Sequence, residues 1–326
     1  MLRLFTFLLL LTAPVTQVFS DTADTSALIK VHQSILNDYK PEKVSEHTYV
    51  IHGPMRSDLK KTQGFVNNPA FIISDKSVIV VDPGTSVQIG RALLHHIKSI
   101  TKKPITHVFN THLHGDHWLG NHAFSENNPD VKIFAHPAFL QAEKDGEIKQ
   151  WLDIFLSASG GTIKGTKIVP PTIGLTDQQV IKVDNISIKS HLSDWAHTKT
   201  DAMLEIIEDK LLFTGDTVNN ERIVPFDGGS FKGSIESISK VMKLDIKVVV
   251  PGHGATTDEK LLATYKAGLE SIYQTTKRLI DEDMEAYDMK GEVIASNTAF
   301  KNWMGFEDEL GRYLSLAVQE IEQEDF

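Results

Sequence analysis

The sequence predicts an α/β fold with layered sheets, built as two β-rich halves that each carry helices. Three observations lead there. Short apolar runs recur in both halves and end at turn-forming or polar residues. Helical patterns of period 3.6 lie between them. From Asp258 onward the pattern is helical, with one break near Gly291–Asn297.

In chain order, residues 21–45 read as a polar lead-in with one short helix around Ala27–Leu36. Strand-like runs follow at Thr48–Ile51, Ala70–Ile73 and Val78–Val81, the last ending at Asp82-Pro83-Gly84. Residues 87–100 place Val87, Leu93, Leu94, Ile97 and Ile100 on a helical stripe. Ile105–Asn110 and Val131–Ala135 read as strands, and 137–158 as a helix. Strands resume at Val180–Val183, Ile186–Ser190, Met203–Ile207 and Leu211–Thr214. Ser234–Leu244 reads as a helix and Lys247–Val250 as a buried strand. The expected organisation is a leader over 1–20, the lead-in 21–45, a main domain over 46–256, and a helical extension over 257–326 packed on it.

Composition narrows the function. The chain has 326 residues, 33 Lys plus Arg and 43 Asp plus Glu, so its formal net charge is −10. An acidic balance argues against nucleic acid as the main partner, because phosphate binding needs a basic face. A small-molecule substrate is the expected partner. There is no cysteine. That excludes disulfides, a cysteine nucleophile, iron–sulfur clusters and thiolate metal sites.

The opening segment has the pattern of a secretory signal peptide. Arg3 precedes an apolar run, Leu4–Val15, and Val18 and Ser20 are small residues set before Asp21. The run falls short of the ~20 apolar residues a membrane span needs. The expectation is therefore secretion across the inner membrane to the periplasm, with no integral span after cleavage.

Histidine is the informative residue. His112-Leu113-His114-Gly115-Asp116-His117 directly follows the strand Ile105–Asn110. His112 and His114, two apart, leave an extended segment on one side. Gly115 is expected to permit a tight turn, so that Asp116 and His117 face back from a helix start. Imidazole and carboxylate together suit zinc, with iron or manganese as alternatives. Three later residues each follow or end an apolar segment: His197 in a loop, Asp216 after Leu212-Phe213-Thr214-Gly215, and His253 after Val248-Val249-Val250-Pro251-Gly252.

This set, with Asp82 in Val80-Val81-Asp82-Pro83-Gly84, resembles the metallo-β-lactamase-fold superfamily over roughly residues 45–256. The resemblance implies an αββα sandwich with added C-terminal helices and two zinc ions per chain in the cleft between the sheets. It implies that His112, His114 and His197 bind one metal, that Asp116, His117 and His253 bind the second, and that Asp216 bridges them. Asp82 would support the site without being a ligand. With Asp at 216 and no cysteine, the site resembles the glyoxalase II type. His117-Trp118-Leu119-Gly120-Asn121-His122-Ala123-Phe124, Phe300-Lys301-Asn302-Trp303-Met304-Gly305-Phe306 and Gly311-Arg312 further resemble the exported quinoprotein relay system zinc metallohydrolases. That gives a link to quinoprotein metabolism. One departure is Lys199-Thr200-Asp201, where many members place a glycine before the Asp.

The expected reaction is metal-assisted hydrolysis of a lactam, lactone, ester or thioester, with Asp116 as the catalytic residue that orients the attacking water and takes its proton. Two alternatives remain open at this stage: a mononuclear iron persulfide dioxygenase, and an accessory metal-binding protein of quinoprotein metabolism. Other residues read as ordinary. His95 and His96 belong to a helix, His122 and Trp118 to the packing, and His191 to the surface. His136 is open between a structural role and one beside the cleft. Met55–Phe65 reads as a plain loop, with a flap over the cleft as its alternative.

Overall fold

The computed structural model describes residues 30–56 and 58–324. The leader read at 1–20 lies outside the described residues. In chain order the elements are α1 (Gln33–Asp38), β1 (Glu42–Lys43), β2 (Thr48–Val50), β3 (Ala70–Ile73), β4 (Val78–Val81), α2 (Val87–Ile100), β5 (Ile105–Phe109), α3 (Gly115–Trp118), α4 (Asn121–Asn127), β6 (Lys132–Ala135), α5 (Pro137–Lys144) and α6 (Lys149–Ala158). They continue with β7 (Ile173–Gly174), β8 (Val180–Val183), β9 (Ile186–Ser193), β10 (Asp201–Ile206), β11 (Leu211–Gly215), α7 (Phe231–Val241), β12 (Val248–Pro251), α8 (Lys260–Asp281), α9 (Lys290–Ser296) and α10 (Phe306–Glu324).

Two sheets result. The first runs β1-β2-β3-β4-β5-β6-β7 and the second β12-β11-β10-β9-β8. Alternation along each strand explains the layering. In β3 and β4, Ala70, Ile72, Ile79 and Val81 face a core shared with Leu204, Ile206, Leu211 and Phe213 of the second sheet. Phe71, Val78 and Val80 instead meet Val87, Ile89, Leu93 and Ile97 of α2. On the far side, Met203, Leu212 and Val249 meet Leu262, Leu269, Leu310 and Tyr313 of α8 and α10. Both faces of the central strands are covered, which is why β3, β4, β11 and β12 read as near-continuous apolar runs. The architecture is an αββα sandwich with C-terminal helices.

Helix boundaries follow local chemistry. Ser86 caps α2, its hydroxyl accepting from Ile89 N at 3.2 Å. Ser230 caps α7 in the same way, so that helix starts at Phe231 rather than Ser234. The expected helix over 137–158 is two helices, separated where Gly146 takes φ +81°. The expected break at 291–297 is largely α9. The true interruptions flank it, at 282–289 and 297–305. The lead-in helix sits later than expected, at Gln33–Asp38.

Two ties close the strand ends. Asp209, in the turn between β10 and β11, accepts hydrogen bonds from Ser45 Oγ, from His47 N at 3.2 Å and from Thr48 Oγ1 at 2.8 Å, and its other oxygen lies 2.7 Å from His47 Nδ1. Asp184, between β8 and β9, accepts from Ser74 Oγ, Ser77 Oγ and Lys76 N. Each links the first sheet to the second. Among the described residues no helix is long and apolar enough to cross a membrane.

Candidate metal centre

All seven histidines and aspartates singled out in the sequence converge where strands end. His112 and His114 follow β5, Asp116 and His117 lie in α3, and His197 lies in the loop between β9 and β10. Asp216 follows β11 and His253 follows β12. They form two groups, His112, His114, His197 and Asp216, and Asp116, His117 and His253. Within each group the ligand-type atoms lie within 4.8 Å of one another.

Asp216 joins the groups. Its Oδ2 lies 3.3 Å from His253 Nε2, 3.6 Å from His197 Nε2 and 3.8 Å from His112 Nε2. Its Oδ1 lies 3.4 Å from His117 Nε2. Asp116 Oδ2 lies 3.3 Å from His253 Nε2 and 3.5 Å from His117 Nε2. His114 Nδ1 and His197 Nε2 approach to 3.0 Å.

The surrounding hydrogen bonds fix which nitrogen faces inward. Asp82 accepts from His117 Nδ1 at 2.8 Å, and also from Thr111 N and Thr111 Oγ1. Asp82 holds φ +47°, uncommon outside glycine. His253 Nδ1 donates to Val66 O at 2.9 Å. Both imidazoles therefore direct Nε2 into the site, the arrangement that orients metal-binding histidines. Asn219 accepts from His253 N and donates to Asp216 O. Asn68 donates to Pro251 O and Gly254 O. Asn219 and Asn68 escaped the sequence reading; their only signal is an asparagine beside each apolar strand end.

The Lys199-Thr200-Asp201 departure has its own solution. Thr200 Oγ1 accepts from Leu113 N at 3.0 Å and meets Thr198 Oγ1 at 2.9 Å. Asp201 accepts from Thr198 N at 2.7 Å and Thr198 Oγ1 at 3.0 Å. The loop carrying His197 is thus pinned to the backbone carrying His112 and His114. Burial, opposed by those Thr198 hydrogen bonds, pushes the Asp201 carboxyl up to about 7.

Glycines serve close approach. Gly115 is the first residue of α3 and has no positive φ, so a turn is not its task. A Cβ there would stand 2.9 Å from Trp151 Cβ and 3.1 Å from Phe155 Cδ2. Its bareness lets α6 lie against the histidine turn, and the Trp151 ring sits 4.6 Å from that of His114.

Burial and charge pull the groups apart. Burial lowers His112 well below its ordinary value and His114 below it, and takes His197 to about 3 with help from His114. For Asp116, burial works upward, but His117 and His253 outweigh it and hold the carboxyl at about 2. Asp216 is depressed by His253 and His117 in the same contest. His117 and His253 are raised, burial being outweighed by Asp116 and Asp216 for the first and by Asp216 for the second.

The remaining histidines are resolved. His122 is buried, with Nδ1 accepting from Lys167 N, and His95 is exposed. His136 caps α5, accepting from Ala138 N. His191 is not on the surface: it is buried between Gln178 and Glu205. Residues 59–64 form a run of turns in which Leu59 lines the cleft, and Phe65 after them is fully buried. Above the site lies a cavity of about 530 Å³, walled by Leu59, Val66, Trp151, Ile154, Phe155, Arg222, Val224, Pro225 and Asp227. Trp151 and Arg222 gave no signal in the sequence.

A four-layer sandwich with a histidine- and aspartate-rich cleft at its strand ends defines a class of metal-dependent fold. The metallo-beta-lactamase superfamily model matches residues 63–253. The chain belongs to this superfamily. Solved structures agree in fold. A metallo-beta-lactamase from Pontibacter korlensis superposes with a TM-score of 0.55 at 18% identity, over 71% of this chain and 99% of that one. The stereoselective inverting sec-alkylsulfatase Pisa1 from Pseudomonas sp. gives 0.65 at 16%, over 86% of this chain and 50% of that one, so this chain spans half its length. DIM-1 metallo-beta-lactamase gives 0.55 at 17%, over 72% and 97%. No curated protein matches the sequence.

Proposed function

We propose that the chain is an exported, dizinc hydrolase of a small molecule with a lactam, lactone, ester or thioester bond. The observation that carries this reading is Asp216, one carboxylate shared between two buried donor groups at the base of a cleft.

The donor chemistry fits a pair of cations. His112 Nε2, His117 Nε2 and Asp216 Oδ1 are buried with no hydrogen-bond partner. Burying such atoms unpaired costs several kcal/mol each on apolar-transfer scales of roughly 2–7 kcal/mol, a cost that cation ligation offsets. Nitrogen and carboxylate donors without sulfur suit zinc, and three side chains per ion plus one shared carboxylate leave a fifth position for water. His112, His114 and His197 would hold one ion, Asp116, His117 and His253 the other, with Asp216 common to both. A pair of zinc ions, when bound, supplies Lewis acidity and brings the pKa of water near 7.

The protein's own groups do the rest. Asp116 places a carboxylate between two of the imidazoles, its Oδ2 3.3 Å from His253 Nε2 and 3.5 Å from His117 Nε2. It is therefore a hydrogen-bond acceptor able to orient water and receive its proton. Asp82 and Val66 O hold His117 and His253 in the required tautomer. Aspartate at 216, with cysteine absent, supports the glyoxalase II-like form of the site. The 117–124 and 300–306 motifs support a place near quinoprotein metabolism, and the 1–20 pattern supports export.

The test is a hydrolysis screen of the zinc-loaded protein against one lactam, one lactone, one ester and one thioester series. Turnover that stops with a chelator and returns with zinc is expected. With zinc at saturation, Asp116→Asn should lose at least 10²-fold in turnover, the scale of a general base, and it should hold its second zinc more weakly than the unaltered protein. Full turnover in that variant contradicts the mechanism.

A further inference from the structure

Two walls of the cleft have no task in the chemistry above. One is apolar. No residue of α6 is fully buried, although its pattern is amphipathic. Such a helix ordinarily sinks its apolar stripe into the core. Here Trp151 and Phe155 only partly cover the cluster of Trp118, Leu119 and Phe139, and with Ile154, which is 46% exposed, they also line the cavity. Leu59 and Val66 extend the same apolar surface.

The other wall is cationic. Arg222 lines the same cavity, and its Nη1 is buried without a hydrogen-bond partner. Asp227 also lines the cavity, but its carboxylate is taken by Arg312 at 2.6 Å. The position of Arg222 is fixed by the C-terminal segment: Ile223 N donates to Met304 O at 2.8 Å and Met304 N donates to Glu221 O at 3.0 Å. Glu221 takes φ +55° to make that connection. Arg222 is thus a half-buried guanidinium whose Nη1 lacks a hydrogen-bond partner, and the opposite charges acting on it, Asp216 and Asp116, both belong to the metal groups, which leaves Nη1 open to an incoming anion. Trp151 Nε1 is a second buried donor lacking an acceptor.

We propose that the cleft takes an amphiphile, with an oxyanion such as a carboxylate against Arg222 and an apolar body against Trp151, Ile154 and Phe155. The guanidinium fork matches a planar oxyanion, and the α6 surface gains from covering by hydrocarbon. This rests on the hydrolase reading and names its substrate class: a carbonyl compound bearing both an apolar chain and a negative charge.

Binding is measured by calorimetry on the zinc-loaded protein with butanoate, hexanoate and octanoate, and with hexanol and octanol. Affinity should rise about two- to fourfold per methylene, the upper figure being ~0.8 kcal/mol converted. Octanoate should bind at least tenfold tighter than octanol. Arg222→Gln should weaken octanoate about tenfold and leave octanol unchanged, with Arg222→Lys intermediate. Ile154→Ser should flatten the chain-length series. Equal binding of butanoate and octanoate by the unaltered protein overturns the proposal, whatever the variants do. So does an Arg222→Gln protein that keeps its zinc and its octanoate affinity. Turnover is not read here, so the two readings fail separately. Chain-length and charge selectivity without any hydrolysis keeps this inference and refutes the hydrolase. Hydrolysis of small neutral esters with no such selectivity does the reverse.

Discussion

Alanine at Gly252 should disable the metal site while the fold survives. A Cβ at this position would lie 1.9 Å from Asp216 Oδ1, 2.8 Å from Gly215 C and 2.9 Å from Gly215 O. Non-bonded heavy atoms settle near 3.5 Å, so the carboxylate must retreat by roughly 1.5 Å. It has no neutral direction to take. Oδ1 faces His117, and Oδ2 is bracketed by His253, His197 and His112. Metal–ligand distances tolerate about 0.2 Å. Altering residues that only support ligands costs about 10–100-fold in metal affinity, so displacing the shared carboxylate should cost at least about 100-fold. Forcing a methyl into this packed turn should also destabilise by ~1–3 kcal/mol. Gly311→Ala is the matched control. Gly311 lies inside α10, has no positive φ, and would place its Cβ in open space. That change should stabilise by ~0.5–1 kcal/mol and leave zinc binding unchanged. The assay is zinc titration against a chromophoric chelator, with thermal melts of the same samples. A Gly252→Ala protein with unaltered zinc affinity and stoichiometry would refute the reasoning.

Three further outcomes follow from named contacts. Asp82→Asn keeps the size of the side chain but loses an acceptor facing Thr111 and His117; zinc affinity should fall about 10–100-fold, and an unchanged titration would contradict the role given to Asp82. Thr200→Val removes the acceptor for Leu113 N, so it should cost ~1–3 kcal/mol in denaturant melts, with Thr200→Ser restoring most of it. At Asp209, burial works to raise the carboxyl, but hydrogen bonds from Ser45, His47 and Thr48 win and lower it. Its folded value therefore lies below the unfolded value of ~3.9. The stability it confers is full above that pH and fades as pH falls through the folded value. Asp209→Asn should show a gap from the unaltered protein that is flat above about pH 5 and closes in stronger acid; urea melts from pH 2 to 7 read it, and a gap that widens in acid would reverse the assignment.

Much of the frame was legible because its physics is local. β3 and β4 have the residues expected of them, since buried strands need uninterrupted apolar runs. α2 has its expected limits because Ser86 and the turn at Asp82-Pro83-Gly84 mark its start. Six of the seven converging residues were legible because each sits just past a strand end or at a helix start, where an apolar run points at the polar group; His197, in the loop between β9 and β10, was legible only through its order in the set. What was missed depends on distant contacts. The divide between α5 and α6 turns on a single glycine, Gly146. His191 looks like a surface residue until β9 pairs with β10 and brings Glu205 opposite. Arg222 and Trp151 enter the cleft only through the C-terminal segment and the bareness of Gly115, and neither link has a local pattern. Gly115 was misread for the same reason: its purpose lies in another helix.

The central claim is a pair of metals shared through Asp216. Elemental analysis of the mature protein, purified without a polyhistidine tag and beside Asp216→Asn, tests it most directly. The account predicts about two zinc ions per chain and a loss of tight binding in the variant. One iron per chain, with oxygen consumed on persulfide addition, would contradict it.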